Sequence, residues 1–370
     1  MKLNQIADEI EKIAPLKLAQ DWDNVGLLIG DSRRNVNNIL LTIDVTNEVV
    51  AEAKRLKTDL ILSYHPVIWD GLKKIVADGQ TAAVYELIKA GISVYSIHTA
   101  LDASVGGVND GLAEIVGIVD AEPIGDFVAN PAGDFYKIII FVPPDDVNSV
   151  ADAMFAAGAG AIGNYSHCSF RSEGEGSFLP LGGAKPTTGK KGKLERVPEI
   201  KLESIVSAKK IEAVVKAMRK AHPYETPAFD VVRHYDVESK FGLGRIGKLA
   251  RPAPLSRIIE KIKKVTGASA IGIVGKQNRR ITTAAVCAGS CGKIINVIIA
   301  KGCQLYLTGE LKHHHALAAK EAGLTCLCLS HTVSERFILK NLAKKLKKQL
   351  KNVIIRTSKK DTDPFKWKNI

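Results

Sequence analysis

Four apolar runs in this 370-residue chain end abruptly in side chains that bind cations or carry protons. Leu60–Ser63 leads into Tyr64, His65 and Pro66, and Ile92–Ile97 leads into His98 and then Asp102. Leu305–Thr308 leads into Gly309 and Glu310, and Cys326–Leu329 into Ser330 and His331. Short runs rich in Ile, Val and Leu read as buried strands. Ligand sites of open α/β sheets form outside the carboxyl ends of such strands, so four polar endings can meet in one cleft. His331 and Glu335, four residues apart at the start of a helix, fall on one face and could hold one ion or two neighbours. Imidazole suits zinc, iron, nickel or cobalt, and carboxylates bridge hard or borderline ions such as manganese. The same pair also reads as an acid in a first helical turn beside a surface histidine. Pro66 denies His65 helical geometry and holds it extended at its strand end. Asp102 alone would pass for a turn residue; the conjunction makes the case. His313, His314 and His315 follow Glu310, and at most two of three consecutive helical side chains can face one cleft.

These groups need a frame. From Asn38 to about Val119 apolar strands alternate with amphipathic helices: strand 39–43, helix 48–56, strand 60–63, helix 80–90, strand 92–97. The rhythm returns with strand 282–286, helix 293–300, strand 304–307, helix 315–322, strand 325–329 and a long basic helix. Such alternation predicts largely parallel sheets with helices on their faces. Between the halves lie a strand at 136–142, a helix at 147–157, a glycine-dense stretch, a strand at 202–206, a helix at 209–221 and a strand at 228–234. Strand-helix-strand-strand-helix-strand is the ferredoxin-like order. The expectation is a two-part α/β core, residues 1–130 and 237–370, interrupted by an inserted ferredoxin-like α+β domain at 131–236.

Composition is that of a folded chain, 46% hydrophobic and 25% charged, which excludes wholesale disorder. No apolar run reaches the roughly 18 residues of a spanning helix. The N-terminus reads as an amphipathic helix, with Leu3, Ile6, Ile10 and Ile13 on one face, rather than as a signal peptide. Six cysteines include no CxxC pair, which predicts reduced thiols and a cytoplasmic protein. Cys287 and Cys291 read either as a ligand pair or as small buried residues. The net charge of +13 is concentrated between Lys340 and Lys360, where no acid occurs. Ile338, Leu342, Leu346 and Leu350 recur there every four residues, so a helix buries one stripe and shows lysines outside. That face is either simply solvated or a surface for polyanions. No zinc finger, RNA-recognition signature or aromatic stripe accompanies it, so nucleic acid is not the expected partner.

Taken in order, several segments carry a resemblance: Asp21–Leu27, Leu62–Pro66, His98–Asp102, Gly106–Asp110, Thr308–Glu310 with Lys312 and His314, Ser330-His331 with Ser334-Glu335, and Asp361–Phe365. The chain resembles, nearly end to end, the Nif-three-like dinuclear-metal family, also catalogued as GTP cyclohydrolase type-two homologues. The central stretch resembles the extra domain of its long bacterial members, related in shape to PII and CutA proteins. Its marks are Gly163 with Tyr165, Cys168–Phe170, Gly174, Gly176, Phe178 and Ala221–Glu225. The resemblance implies metal ligands at His65, Asp102, His331 and Glu335, two divalent ions per subunit, and a ring-shaped homohexamer with its metal sites facing inward. It implies a metal-dependent hydrolase acting on a nucleotide or phosphorylated small molecule, with Glu310 and His314 as candidate proton carriers or substrate contacts. The alternative is a non-catalytic metal-binding chaperone or regulatory scaffold. One departure stands out: many members carry His-His-Pro where this chain has Tyr64-His65-Pro66. A phenol with a pKa of about 10 is a poor ligand beside imidazole. One ion is therefore expected to bind tightly and the second loosely, unless His98 supplies the missing nitrogen.

Overall fold

The computed structural model describes residues 1–124, 135–162, 165–234 and 240–366. The chain separates into two compact units, Met1–Ala129 with Ser239–Ile370, and Asn130–Glu238. The expected junctions at 130/131 and 236/237, and Gly163, lie outside the described residues.

In the first unit, one sheet runs in the spatial order Gly26–Ile29, Ser93–Ser96, Leu60–Ser63, Asn38–Thr42, Ile354–Thr357. Its first pairing is antiparallel and the rest are parallel. Its three inner strands are buried on both faces, which is why they read as unbroken apolar runs. Side chains divide by parity: Leu40, Ile61 and Val94 pack with Val49, Val50 and Ala53 of the helix Asn47–Arg55 and Leu87 of the helix Ala82–Ala90. Ile39, Leu41, Leu60, Leu62 and Tyr95 belong to the opposite layer, with Leu3, Ile6 and Ile10 of the helix Leu3–Glu11. Thr46 caps the helix Asn47–Arg55, its hydroxyl accepting from the Val49 N–H at 3.3 Å.

The second sheet runs Gly272–Val274, Thr325–Cys328, Leu305–Thr308, Arg280–Cys287, Arg245–Pro254, Ile118–Glu122. Its three central strands are parallel and the flanking pairings antiparallel. Ala284, Val286, Leu305, Leu307 and Leu327 point into the same layer as Ile39, Leu41, Leu60, Leu62 and Tyr95 of the first sheet. The helices Val108–Val116, Leu255–Thr266 and Ile338–Gln349 contribute to this shared core. Each half also lends the other an edge. Ile354–Thr357 pairs with Asn38–Thr42, and Ile118–Glu122 pairs with Arg245–Pro254. The basic helix is shorter than its lysine run implies, ending at Gln349, but Ile338, Leu342, Leu346 and Leu350 are all buried as their spacing requires. Fully burying each such side chain stabilises by about 1.5–3 kcal/mol.

The second unit has one antiparallel sheet in the order Ser169–Phe178, Glu195–Ser207, Phe135–Val142, Phe229–His234. Val150 and Met154 of the helix Val147–Ala156, with Val214 and Met218 of the helix Ile211–Ala221, pack on Ile138, Ile140 and Leu202. Ser169–Phe178 lies within the glycine-dense stretch, where the sequence signals no strand. It is exposed almost throughout and is held by backbone pairing to Glu195–Ser207 rather than by burial.

Candidate metal centre

The parallel strands of the two sheets in the first unit deliver their carboxyl ends to one place. Beyond Leu60–Ser63, the Tyr64 and His65 N–H groups donate to the Thr42 and Ile43 carbonyls at 2.9 and 3.0 Å, extending the ladder to the site. The His98 N–H donates to the Tyr64 carbonyl at 3.0 Å, and the helix His98–Ala103 brings Asp102 alongside. On the other sheet, Ser330 takes a φ of +77°, turning the chain so that His331 starts a new direction. Left-handed backbone costs a non-glycine residue about 1–2 kcal/mol; the Ser330 hydroxyl donating to Asp363 at 2.7 Å fixes it there.

The structure brings together His65, His331 and Glu335, with one donor atom of each within 4.8 Å of the others. His65 Nε2 lies 3.5 Å from Glu335 Oε2, and His331 Nε2 lies 3.4 Å from Glu335 Oε1. The opposite ring nitrogens are occupied by carboxylates: His65 Nδ1 with Asp44 at 2.8 Å, and His331 Nδ1 with Glu310 at 3.0 Å. His98 repeats the pattern with Asp23 at 2.9 Å. A carboxylate accepting from Nδ1–H holds the ring proton on that nitrogen and leaves Nε2 with its lone pair, the arrangement that orients metal-binding histidines. Asp102 sits beside the cluster and accepts from the Tyr64 hydroxyl. Tyr64 is fully buried, and burial, then the Asp102 charge, pushes its pKa well up, so it stays a phenol.

Electrostatics separate the supporting carboxylates from the cluster's own. Burial pushes the Asp44 carboxyl up, but the hydrogen bond and charge of His65 outweigh it and hold the pKa below its usual value. Asp23 behaves likewise, its burial outweighed by His98 and Thr99. Burial drives the Asp102 carboxyl up against the opposing pull of His98 and Tyr64. Glu335, 2% exposed, is driven well above its usual value by burial and then by the charges of Asp102 and Asp44.

Two features fit this donor set to a divalent cation. Glu335 Oε2 is buried with no hydrogen-bond partner among the described residues, a situation that costs kilocalories unless a cation compensates it. Gly289, with φ of +65°, faces the donors so closely that a Cβ there would lie 2.8 Å from Glu335 Oε1 and 3.4 Å from His331 Nε2. The space over the ligand atoms exists because that side chain is absent.

A cleft of about 710 Å³ opens onto the cluster, with Trp22, Trp69, His98, Lys293, Lys312 and His315 in its lining. Of the histidine run, His315 lines the cleft while His314 is exposed and does not. Glu310 reaches the site through His331. Sequence reasoning missed Asp44, which follows the strand Asn38–Thr42 and so carries the same strand-end signature as the four runs selected. It also missed Gly289, for which no local pattern gives a signal. Cys291 lines the cleft and Cys287 is buried; neither joins the His/Glu cluster.

Residues 1–364 match the family model described as Duf34/NIF3 (NGG1p interacting factor 3). A Staphylococcus epidermidis protein named GTP cyclohydrolase 1 type 2 homolog is 35% identical over 372 residues, covering 100% of both chains. A Bacillus subtilis protein of the same name is 36% identical over 366 residues, 98% of this chain and 97% of that one. Among solved structures, a Bacillus cereus protein related to NIF3 shares 36% identity with a TM-score of 0.73, covering 99% of each chain. A Staphylococcus aureus protein shares 30% identity with a TM-score of 0.82, again over 99% of each.

Proposed function

Because this chain belongs to the Duf34/NIF3 family along residues 1–364, we propose that it is a divalent-metal protein whose centre hydrolyses a nucleotide or phosphorylated small molecule. The observation that carries this reading is the convergence of His65, His331 and Glu335 around a buried carboxylate oxygen that no group among the described residues satisfies. Two divalent cations per subunit fit the donor inventory. His65, His331 and Glu335 would hold one, and Asp102 would serve the second, where Tyr64 offers a phenol in place of imidazole. Bound there, such ions supply Lewis acidity and lower the pKa of water.

The chain's own residues set up the rest. Asp44 and Glu310 hold the two imidazoles by Nδ1, so both Nε2 lone pairs stay directed at the centre. Lys293, Lys312 and His315 line the cleft and supply positive charge and hydrogen-bond donors for a phosphate. Trp22 and Trp69, both more than half exposed, border the same cleft and offer faces for a ring. The assembly proposed is a homohexamer, and the six free thiols fit a reducing cytoplasm. Among the described residues no helix is long and apolar enough to cross a membrane.

A metal-binding chaperone or regulatory scaffold is the second reading, favoured by one observation. Neither expected proton carrier stands free over the centre, since Glu310 is engaged by His331 and His314 is exposed and not among the residues lining the cleft. Turnover of GTP and simple phosphoesters by protein loaded with Zn²⁺, Mn²⁺, Fe²⁺, Ni²⁺ or Co²⁺ separates them. Release of formate or phosphate that disappears in His331→Ala supports hydrolysis. Tight metal binding with no turnover under any ion overturns it in favour of the scaffold.

A further inference from the structure

The segment Ala221-His222-Pro223-Tyr224-Glu225 plays no part in the metal centre, yet it is built with care. His222 is buried, and both ring nitrogens are used. Its Nε2 donates to the Phe141 carbonyl at 2.9 Å and its Nδ1 accepts from the Tyr224 N–H at 3.0 Å. These bonds fix the ring's orientation and tie the end of the strand Phe135–Val142 to the turn that carries Tyr224. The connection 179–194, between the strands Ser169–Phe178 and Glu195–Ser207, folds over the same turn. It is pinned there by the Lys185 N–H donating to Glu225 at 3.0 Å and the Thr187 hydroxyl donating to the Pro223 carbonyl at 3.0 Å. A connection this long, ordered on a turn, is more often functional than not.

What the turn and the connection enclose is a pocket of about 280 Å³. Three aromatic rings line it, those of Phe141, Phe178 and Tyr224, with Phe178 and Tyr224 centroids 6.3 Å apart. Among the described residues its charged lining is two carboxylates, Glu199 and Glu225, against one ammonium, Lys185. Gly176 leaves room for this, since a Cβ there would collide with the Glu199 carboxylate. The field at the Tyr224 hydroxyl is negative as well: after burial, Glu199 and then Asp146 push its pKa up. Aromatic faces attract cations through their quadrupoles, and a carboxylate beside them adds a direct partner.

We propose that this pocket is a binding site for a small organic ammonium with an apolar body, the charge beside Glu199 and the body among Phe141, Phe178 and Tyr224. The volume suits a ligand of amino-acid size. His222 is a positioning residue that sets two of the three aromatic walls. The site is independent of the metal centre, so either reading can fail without the other.

The test uses the full-length protein, with phenethylammonium as the probe and hydrocinnamate as its carboxylate counterpart, measured by titration calorimetry and ligand-observed NMR. Saturable binding of phenethylammonium is expected, with hydrocinnamate weaker by about tenfold or more, the worth of one charge-assisted contact. Glu199→Gln keeps the shape and removes the charge. It should weaken phenethylammonium by a similar factor while melting temperature and metal content stay as in the wild type. Gly176→Ala, which crowds Glu199, should weaken it independently. Absence of saturable phenethylammonium binding, equal binding of hydrocinnamate, or a Glu199→Gln variant that binds as the wild type does would each overturn the proposal.

Discussion

Replacing Glu335 by Gln should change the sign of its effect according to whether metal is present. The carboxylate is 2% exposed, its Oε2 has no hydrogen-bond partner among the described residues, and its distances to His65 and His331 Nε2 are 3.5 and 3.4 Å. Those separations are too long for good hydrogen bonds, so the amide forfeits little. Removing an uncompensated buried charge relieves about 1–3 kcal/mol. Because burial raises the Glu335 pKa, proton uptake already meets part of that cost, so the relief lies at or below the low end of that range. Metal-free Glu335→Gln should therefore melt about 1–2 °C above the metal-free wild type. With ion, the wild type gains about 2.7 kcal/mol at a free concentration about a hundred times Kd, and the neutral amide loses most of that gain. Calorimetric melts in chelator and at matched free Zn²⁺ or Mn²⁺ read both arms. A variant less stable than wild type without metal, or one keeping the full ion-induced shift, would refute the reasoning.

Gly289→Ala should fold with about 1–2 kcal/mol of backbone strain and bind the first ion about 10–100-fold more weakly, because its Cβ would crowd Glu335 and His331; calorimetric titration checks this, and wild-type affinity would remove Gly289 from the centre. Titrating metal-free wild type should give one tight and one weak equivalent, and Tyr64→His should tighten the second; two equally tight sites in the wild type would contradict the role given to the phenol. Glu52 accepts from the Ser358 hydroxyl at 2.6 Å and the Lys359 N–H at 3.1 Å, and these bonds outweigh its burial to hold its pKa down. A depressed folded pKa stabilises above the unfolded value of about 4.3 and loses that stability as pH falls through the folded one. Glu52→Gln should thus cost about 1–3 kcal/mol at neutral pH and converge on the wild type in acid, as urea melts at several pH values would show; a pH-independent difference would exclude the linkage.

Much of the core was legible because its strands are buried on both faces. Leu60–Ser63 fell where its apolar run placed it, and the stripe of Ile338, Leu342, Leu346 and Leu350 is buried. Edge elements escaped notice for the converse reason. Ile354–Thr357 is largely exposed and Ile118–Glu122 half so, which leaves little apolar pattern, and both are held by pairing with segments remote in sequence. At the site, His65, His331 and Glu335 were readable as strand-end and helix-start residues. Asp44 and Glu310 acquire their roles through Nδ1 hydrogen bonds, which depend on three-dimensional approach. Gly289 offers the clearest contrast. Its contribution is the Cβ it lacks, and only the positions of Glu335 and His331 reveal that.

An anomalous-scattering map from crystals of zinc-loaded protein addresses the metal centre most directly. It should show an ion about 2.0–2.2 Å from His65 Nε2, His331 Nε2 and a Glu335 oxygen, with a second, weaker peak toward Asp102. Density for zinc at other residues, with these three side chains bare, would contradict the assignment.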